Sequence, residues 1–181
     1  MKTHKLGLSL LSLLIVATLA GCSTSTKSRD VSDSIRQSLD QAGLKDLTVS
    51  QDRDKGVVTL GGHVATETDK AKAESLAKSI AAGQVVANQI AVTPPGVESE
   101  ARTVNSDLDK GIENNLHAAL IQNSLLKGVE YDVKNGVVTL TGEVNSQSKR
   151  ARVEQVASGV PNVQQVVNVL QVKDQKASST P

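Results

Sequence analysis

The sequence predicts an α+β protein made of two tandem αββαβ units, each a three-stranded mixed sheet with two helices on one face. Three observations support this prediction. Residues 56–64 return as residues 136–144 with seven of nine positions identical, at an offset of 80 residues, which indicates a duplicated structural unit. Apolar residues recur at helical spacing before and after each copy. A valine-rich strand then closes each unit.

The first unit is predicted over residues 30–93. Its first helix has an apolar stripe formed by Val31, Ile35 and Leu39. Gly43 can end that helix in a left-handed conformation. Residues 47–49 and 56–64 have the pattern of a hairpin. A second helix beginning near Thr66 and a strand over residues 85–92 complete the order.

The second unit is predicted over residues 106–173, after a polar, proline-led linker at residues 94–105. Its first helix is predicted over residues 108–124. The apolar stripe of that helix is formed by Leu108, Ile112, Leu116, Ala119 and Leu120. Asn135 and Gly136 are a hairpin signal. In the repeated strands, Gly62 and Gly142 predict a close helix approach or a bulge.

The first residues have the features of a secretory signal. Residues 1–21 combine two early lysines with a short apolar run. The sequence Leu-Ala-Gly-Cys that ends at Cys22 resembles the lipobox of bacterial lipoproteins, and this resemblance implies lipidation of Cys22. Ser23 is not the aspartate of an inner-membrane retention signal, which favours the outer membrane. The alternative is an ordinary signal peptide followed by a free cysteine. Residues 22–29 are predicted as a flexible tether, and residues 174–181 as a disordered tail.

Composition excludes several functions. The chain has one aromatic residue of the Phe, Trp and Tyr group, Tyr131, so it lacks the stacking surfaces of many RNA-binding and single-strand-binding modules. Removal of the signal would leave 18 basic against 19 acidic residues, and no nucleic-acid partner is predicted. A single cysteine cannot form an internal disulfide.

The order of elements, the repeated G-V-V-T-L-x-G-x-V strand and the V-x-N-x-I/L-x-V closing strand resemble the BON domain family. The resemblance covers residues 30–93 and 106–173. It implies a non-catalytic module associated with phospholipid binding and with cell-envelope integrity or osmotic stress. Together with the lipobox, it implies an outer-membrane lipoprotein that is lipid-anchored and faces the periplasm. In dual-BON lipoproteins of this kind, anionic phospholipid is bound around the first helix of the second unit, with aromatic help. Here that helix has no aromatic residue.

The first candidate site lies on that helix. Projection at 100° per residue brings four residues together opposite the core stripe: Lys110, Asn114, His117 and Ile121. A cation, polar groups and an exposed aliphatic side chain could meet a phospholipid headgroup. The alternative is an ordinary solvated face with one apolar residue.

The second candidate is a basic helix start formed by Lys149, Arg150 and Arg152, which Lys70 and Lys72 mirror in the first unit. Free backbone N–H groups at a helix start favour an anion. Solvated basic side chains are the simpler interpretation.

No catalytic residue, metal or cofactor is predicted, so the protein is not expected to be an enzyme. His63 and His117 lie in different units without a nearby cysteine or paired carboxylates. Asp52 and Asp54 fit a turn. Asn88 and Asn168, on the closing strands, are interpreted as structural.

Two functions remain from the sequence. In the first, the protein binds membrane phospholipid through the anchor and possibly the second unit. In the second, a periplasmic adaptor or chaperone-like protein docks an envelope protein through its sheet faces. Those faces carry Val57, Thr59 and Ala87 in the first unit, and Val137, Thr139, Val167 and Val169 in the second. Apolar patches of this kind commonly mark an interface, and the other unit is the simplest partner.

Overall fold

The computed structural model describes residues 27–173, which form two αββαβ units whose closing strands are each divided in two. The first unit contains α1 (Ser32–Gln41), β1 (Leu47–Asp52), β2 (Val57–Val64), α2 (Glu67–Ile80), β3 (Val85–Asn88) and β4 (Ala91–Val92). The second contains α3 (Glu98–Gln122), β5 (Val129–Lys134), β6 (Val137–Val144), α4 (Gln147–Ser158), β7 (Gln165–Asn168) and β8 (Gln171–Val172). The predicted signal peptide, Cys22 and the predicted tail lie outside the described residues.

Each sheet is built around the repeated strand. β2 pairs antiparallel with β1 and parallel with β3 and β4. β6 has the same relation to β5, β7 and β8. The predicted mixed sheet is therefore confirmed. Between β3 and β4 the pairing continues through Gln89, whose N–H donates to the Leu60 carbonyl at 2.9 Å.

Each unit has its own aliphatic core between the sheet and its two helices. The first core is centred on residues that are at most 1% exposed: Ile35, Leu39, Val58 and Leu60. The equivalent residues of the second core are equally buried: Ile112, Leu116, Val138 and Leu140. Burying one such side chain stabilises the fold by about 1.5–3 kcal/mol. The predicted stripes thus face the sheet.

Local polar contacts set the turns and helix starts. The Thr66 hydroxyl accepts from the Asp69 N–H at 3.1 Å, which caps α2 as predicted. In the first hairpin, the Asp52 carboxylate accepts from the Lys55 N–H at 3.0 Å, and this bond holds the pKa of Asp52 below its ordinary value. In the second hairpin, Asn135 and Gly136 have φ values of +48° and +76°. These are the left-handed residues of a tight hairpin.

Gly62 and Gly142 are required by the neighbouring strand. Their φ values are +93° and +103°. A Cβ at Gly62 would overlap the Asp46 carbonyl oxygen, and one at Gly142 would overlap that of Gly128. The element that approaches each glycine is therefore the backbone just before β1 or β5, and the predicted helix approach is wrong.

Helix α3 begins ten residues earlier than predicted. It starts at Glu98, inside the predicted linker, and the helical part of that linker continues into the second unit. Leu108, predicted as a core residue, is 45% exposed. It lines a cleft of about 490 Å³ between the units. The apolar stripe of α3 reaches the core only from Ile112 onward.

The last residues of the predicted flexible tether are held against the first hairpin. Ser28 N–H donates to the Arg53 carbonyl at 2.9 Å, and Arg53 Nε donates to the Ser28 carbonyl at 2.7 Å. The Arg29 carbonyl accepts from the side-chain amides of Gln51 and Gln84. The sequence showed only polar residues here, but these contacts fix the chain before α1.

Candidate lipid-binding face

The four predicted residues of α3 lie together on one exposed surface. Lys110, Asn114, His117 and Ile121, here called the α3 face, are all exposed. Ile121 is 53% exposed. At 1.5 Å rise per residue the α3 face is about 16 Å long. Lys110 Nζ lies 3.3 Å from an Asp107 carboxylate oxygen in an exposed ion pair, which costs little to break.

An aromatic ring from a neighbouring strand joins the α3 face. His117 Nδ1 and the Tyr131 hydroxyl are 2.7 Å apart, and the ring centroids are 6.4 Å apart. Burial raises the pKa of Tyr131, and the negative charge of Glu113 raises it further. Tyr131 was not among the predicted site residues. Its alternation with Val129 and Val133 could have placed it on the helix-covered side of the sheet.

The basic start of α4 does not gather around one point. Lys149 Nζ donates to the Lys127 carbonyl at 2.7 Å, and Arg150 Nη2 donates to the Asn168 carbonyl at 3.1 Å. Arg152 points to the side chain of Asn123 at 3.5 Å. The three cations thus have three separate acceptors. This geometry does not support one shared anion site.

The mirrored basic residues of α2 are separated in the same way. Lys70 is only 8% exposed, and its Nζ donates to Gln164 of the second unit at 3.0 Å. Lys72 Nζ donates to the Ala42 carbonyl at 3.2 Å. Lys70 therefore serves the contact between the units.

Asn88 and Asn168 are structural, as predicted. Asn88 Nδ2 donates to the Glu74 carboxylate at 2.9 Å, and Asn168 Nδ2 donates to Glu154 at 2.8 Å. Each asparagine also accepts from the N–H two residues later. These asparagine–glutamate bonds connect each closing strand to the second helix of its own unit. Hydrogen bonds from Lys78 and Asn88 outweigh the opposing effect of burial and lower the pKa of Glu74.

The sheet faces meet each other. Val57 and Ala87 pack with Val137 and Val167 in a third apolar cluster, in which each of the four is at most 7% exposed. The expectation that these faces form an interface with the other unit is therefore confirmed for these residues. Asn135 Nδ2 also donates to the Gln89 carbonyl at 2.8 Å across this contact.

Gln165 adds a polar link at the same contact. Its Oε1 accepts from the Asn88 N–H at 3.0 Å, and its Nε2 donates to the Val86 carbonyl at 2.7 Å. Both main-chain groups lie on the edge of β3 that faces away from β2. No pattern in the repeat pointed to this role, because the position is Val85 in the other copy.

Other site types have no support within residues 27–173. No group of three His, Cys, Asp or Glu residues there could hold a metal ion. No helix in the same range is long and apolar enough to cross a membrane.

Repetition of the αββαβ unit, with the two sheets packed face to face, defines a tandem-repeat α+β protein. The chain belongs to the BON domain family, which matches residues 17–94 and 108–174. It is similar to the Osmotically-inducible protein Y of Escherichia coli (strain K12), with 27% identity over 137 residues, 75% of this chain and 67% of that protein.

Two solved structures of CdsD, a structural protein of the Type III secretion system of Chlamydia trachomatis, are also similar to this chain. One has 15% identity and a TM-score of 0.35, and covers 76% of this chain and 90% of its own. The other, a C-terminal domain, has 14% identity and a TM-score of 0.34, and covers 81% of this chain and 99% of its own. Such scores are too low to define a shared fold.

Proposed function

We propose that this protein is a non-catalytic outer-membrane lipoprotein, anchored through Cys22 and facing the periplasm, that binds anionic phospholipid through the α3 face. In this role it supports envelope integrity or resistance to osmotic stress. Membership of the BON family and the similarity to an osmotically inducible protein support the envelope-associated role. The resemblance of residues 19–22 to a lipobox supports the anchor.

One observation carries the lipid-binding part: a cation and an exposed aliphatic side chain lie on one side of α3, and the Tyr131 ring contacts that side at His117. Lys110 is solvated and only weakly paired, so it can meet a phosphate. Ile121 offers apolar area near the other end of the same face. The tyrosine, hydrogen-bonded to His117, supplies a ring with a polar end, the kind of side chain that prefers a membrane interface.

Co-sedimentation with liposomes tests this proposal on the soluble chain that begins at Ser23. Binding to anionic vesicles should exceed binding to neutral vesicles. Lys110→Glu should weaken anionic binding by at least about fivefold, because loss of one basic residue near such a surface costs about 1 kcal/mol and the new carboxylate is repelled. Ile121→Ser should weaken it as well. Lys45→Glu, an exposed reversal of the same charge in the first unit, is the matched control. Equal binding to neutral and anionic vesicles would reject lipid recognition.

The adaptor function, in its form with the sheet faces as the docking surface, has lost its physical basis. Val57, Ala87, Val137 and Val167 are buried against one another. A protein partner would have to displace one unit to reach them.

A further inference from the structure

The second sheet has a free edge at β5. The Glu143 N–H donates to the Gly128 carbonyl at 2.8 Å, which fixes the phase of the antiparallel ladder. Main-chain groups alternate between the partner strand and the outside. The even-numbered residues of β5 therefore bond to β6. Tyr131 and Val133 direct their N–H and C=O groups outward, and we call these four groups the β5 edge.

Both ends of this edge are closed by the chain itself. The Val129 N–H donates to the Leu126 carbonyl at 3.0 Å, and the Asn135 N–H donates to an Asp109 carboxylate oxygen at 2.8 Å. Between them, the β5 edge has no hydrogen-bond partner among the residues that the structure describes. The gap is long enough for one short strand.

In the first unit, main-chain groups on the strand edges already have hydrogen-bond partners. At β1, Arg36 Nη2 donates to the Val49 carbonyl at 3.1 Å, and the Ser28 N–H donates to the Arg53 carbonyl. At β3, the Gln165 amide occupies two edge groups. When the apolar stripes of α1 and α3 are aligned, Arg36 corresponds to His117. His117 bonds to the Tyr131 hydroxyl and not to a main-chain carbonyl of β5, so the β5 edge stays open. Divergence between the copies has thus left the middle of the β5 edge free.

The β5 edge opens beside a depression of about 380 Å³ between α3 and the second hairpin. Three cations line it, Arg102, Lys110 and Lys134, together with Val133 of the edge itself. Arg102 and Lys134 form no ion pair with any residue of the described range. Two carboxylates also line it: Glu113, and Asp109, which is already engaged by the Asn135 and Gly136 N–H groups. With three cations against two carboxylates, the lining keeps one net positive charge. The depression therefore favours a carboxylate.

We propose that the β5 edge binds an extended segment of another protein, which adds a strand at Tyr131 and Val133 and places a carboxylate in the adjoining depression. Main-chain bonds supply affinity in this mode of recognition, and the end group supplies specificity. A second copy of β5 fits less well, because a two-fold pairing about Asp132 would set two Asp132 carboxylates opposite each other. This partner is additional to the phospholipid proposed above.

A synthetic peptide tests the proposal on the soluble chain that begins at Ser23. The probe is an acetylated peptide of alternating valine and threonine with a free C-terminal carboxylate, and the matched probe is its C-terminal amide. In amide NMR spectra, the carboxylate peptide should shift the Tyr131 and Val133 signals and protect both N–H groups from exchange. The amidated peptide should bind at least fivefold more weakly.

Two variants test whether the peptide binds at the β5 edge and its adjoining depression. Val133→Pro removes one outward donor without breaking a bond to β6, a substitution that edge strands tolerate, and should weaken binding at least tenfold. The Arg102→Glu, Lys134→Glu double variant retains the strand and should abolish the preference for the carboxylate. Lys45→Glu should bind like the wild type. Unshifted Tyr131 and Val133 signals, equal binding of both peptides, or full binding by a folded Val133→Pro protein would overturn the proposal.

Discussion

The side chain of Gln165 occupies the edge of β3 at Asn88 and acts there like one residue of a further strand. It accepts from the Asn88 N–H and donates to the Val86 carbonyl, at 3.0 and 2.7 Å. A carboxamide can do both at once, because it carries an acceptor oxygen and an NH₂ donor. Through these two bonds the second unit closes an edge of the first, beside the valine cluster that joins the sheets.

Gln165→Glu should therefore destabilise the protein. The carboxylate can still accept from Asn88, but it cannot donate to Val86, so a carbonyl loses its partner. We expect the free energy of unfolding to fall by about 1–2 kcal/mol, measured by urea denaturation. Gln171→Glu, at an exposed strand position, is the control and should change stability by less than about 0.5 kcal/mol. Equal stability of the two variants would contradict the role of the Gln165 amide.

Substitution of glycine by alanine should lower stability at some sites and raise it at another. Gly62→Ala and Gly142→Ala place a Cβ against a backbone carbonyl at a left-handed residue, and each should cost about 2 kcal/mol or more. Gly111→Ala, in α3 with no atom within 4 Å of the new Cβ, should stabilise by up to about 1 kcal/mol. Thermal unfolding of the three variants checks this. A stable Gly62→Ala protein would show that the backbone at Asp46, just before β1, can move away.

Acid stability should depend on Glu74. Its folded-state pKa lies below the ordinary value of 4.5, so the carboxylate stabilises the fold above that pH, and the contribution is lost as the pH falls through the folded pKa. Glu74→Gln should flatten the loss of stability below pH 4.5. Lys78→Ala, which removes the ion pair and keeps the Asn88 bond, should flatten it partly. If both variants lose stability below pH 4.5 as steeply as the unaltered protein, Glu74 is excluded as a source of the pH dependence.

Tyr131 reports on the α3 face by its own titration. The chain has one tyrosine and no tryptophan, so phenolate absorbance comes from this residue alone. The midpoint should lie above 10.0, because burial and the Glu113 charge raise the pKa. Glu113→Gln should lower it, whereas Glu130→Gln, on the exposed side of β5, should lower it less. An unchanged midpoint in Glu113→Gln would place that charge too far from the ring.

The anchor is tested by fractionation of cells. Cys22→Ala should move the protein from the membrane fraction to the soluble periplasmic fraction, because the acyl chains supply the stable attachment. Ser23→Asp is the paired variant and should retain the protein at the inner membrane. Continued recovery of Cys22→Ala with the outer membrane would reject the lipidation of this residue.

Much of the fold could be predicted from the sequence because both units repeat the same short-range signals. The stripe at Ile35 and Leu39, the Thr66 cap and the Asn135–Gly136 turn all act within a few residues, and each is present as expected. The start of α3 was missed because its first turns have no apolar stripe facing a core. Their helical state could not be inferred from the periodicity that identified the other helices.

The candidate site was predicted only in part, since sequence spacing describes one helix at a time. The four residues of the α3 face share a surface, as the projection indicated. The contribution of Tyr131 depends on the packing of β5 beneath α3. That of Gln165 depends on contact with Asn88, which lies 77 residues away in the other unit. The separate acceptors of Lys149, Arg150 and Arg152 likewise lie on distant segments.

Gln165 of the second unit corresponds to Val85 of the first, and this difference makes the two units non-equivalent. A valine has no hydrogen-bonding side chain, so a protein made of two copies of the first unit would leave the β3 edge unsealed at the junction. Such a chimera should assemble poorly although each half carries a complete core. The duplicated halves have therefore become complementary parts, and neither can be replaced by a second copy of the other without loss of a contact.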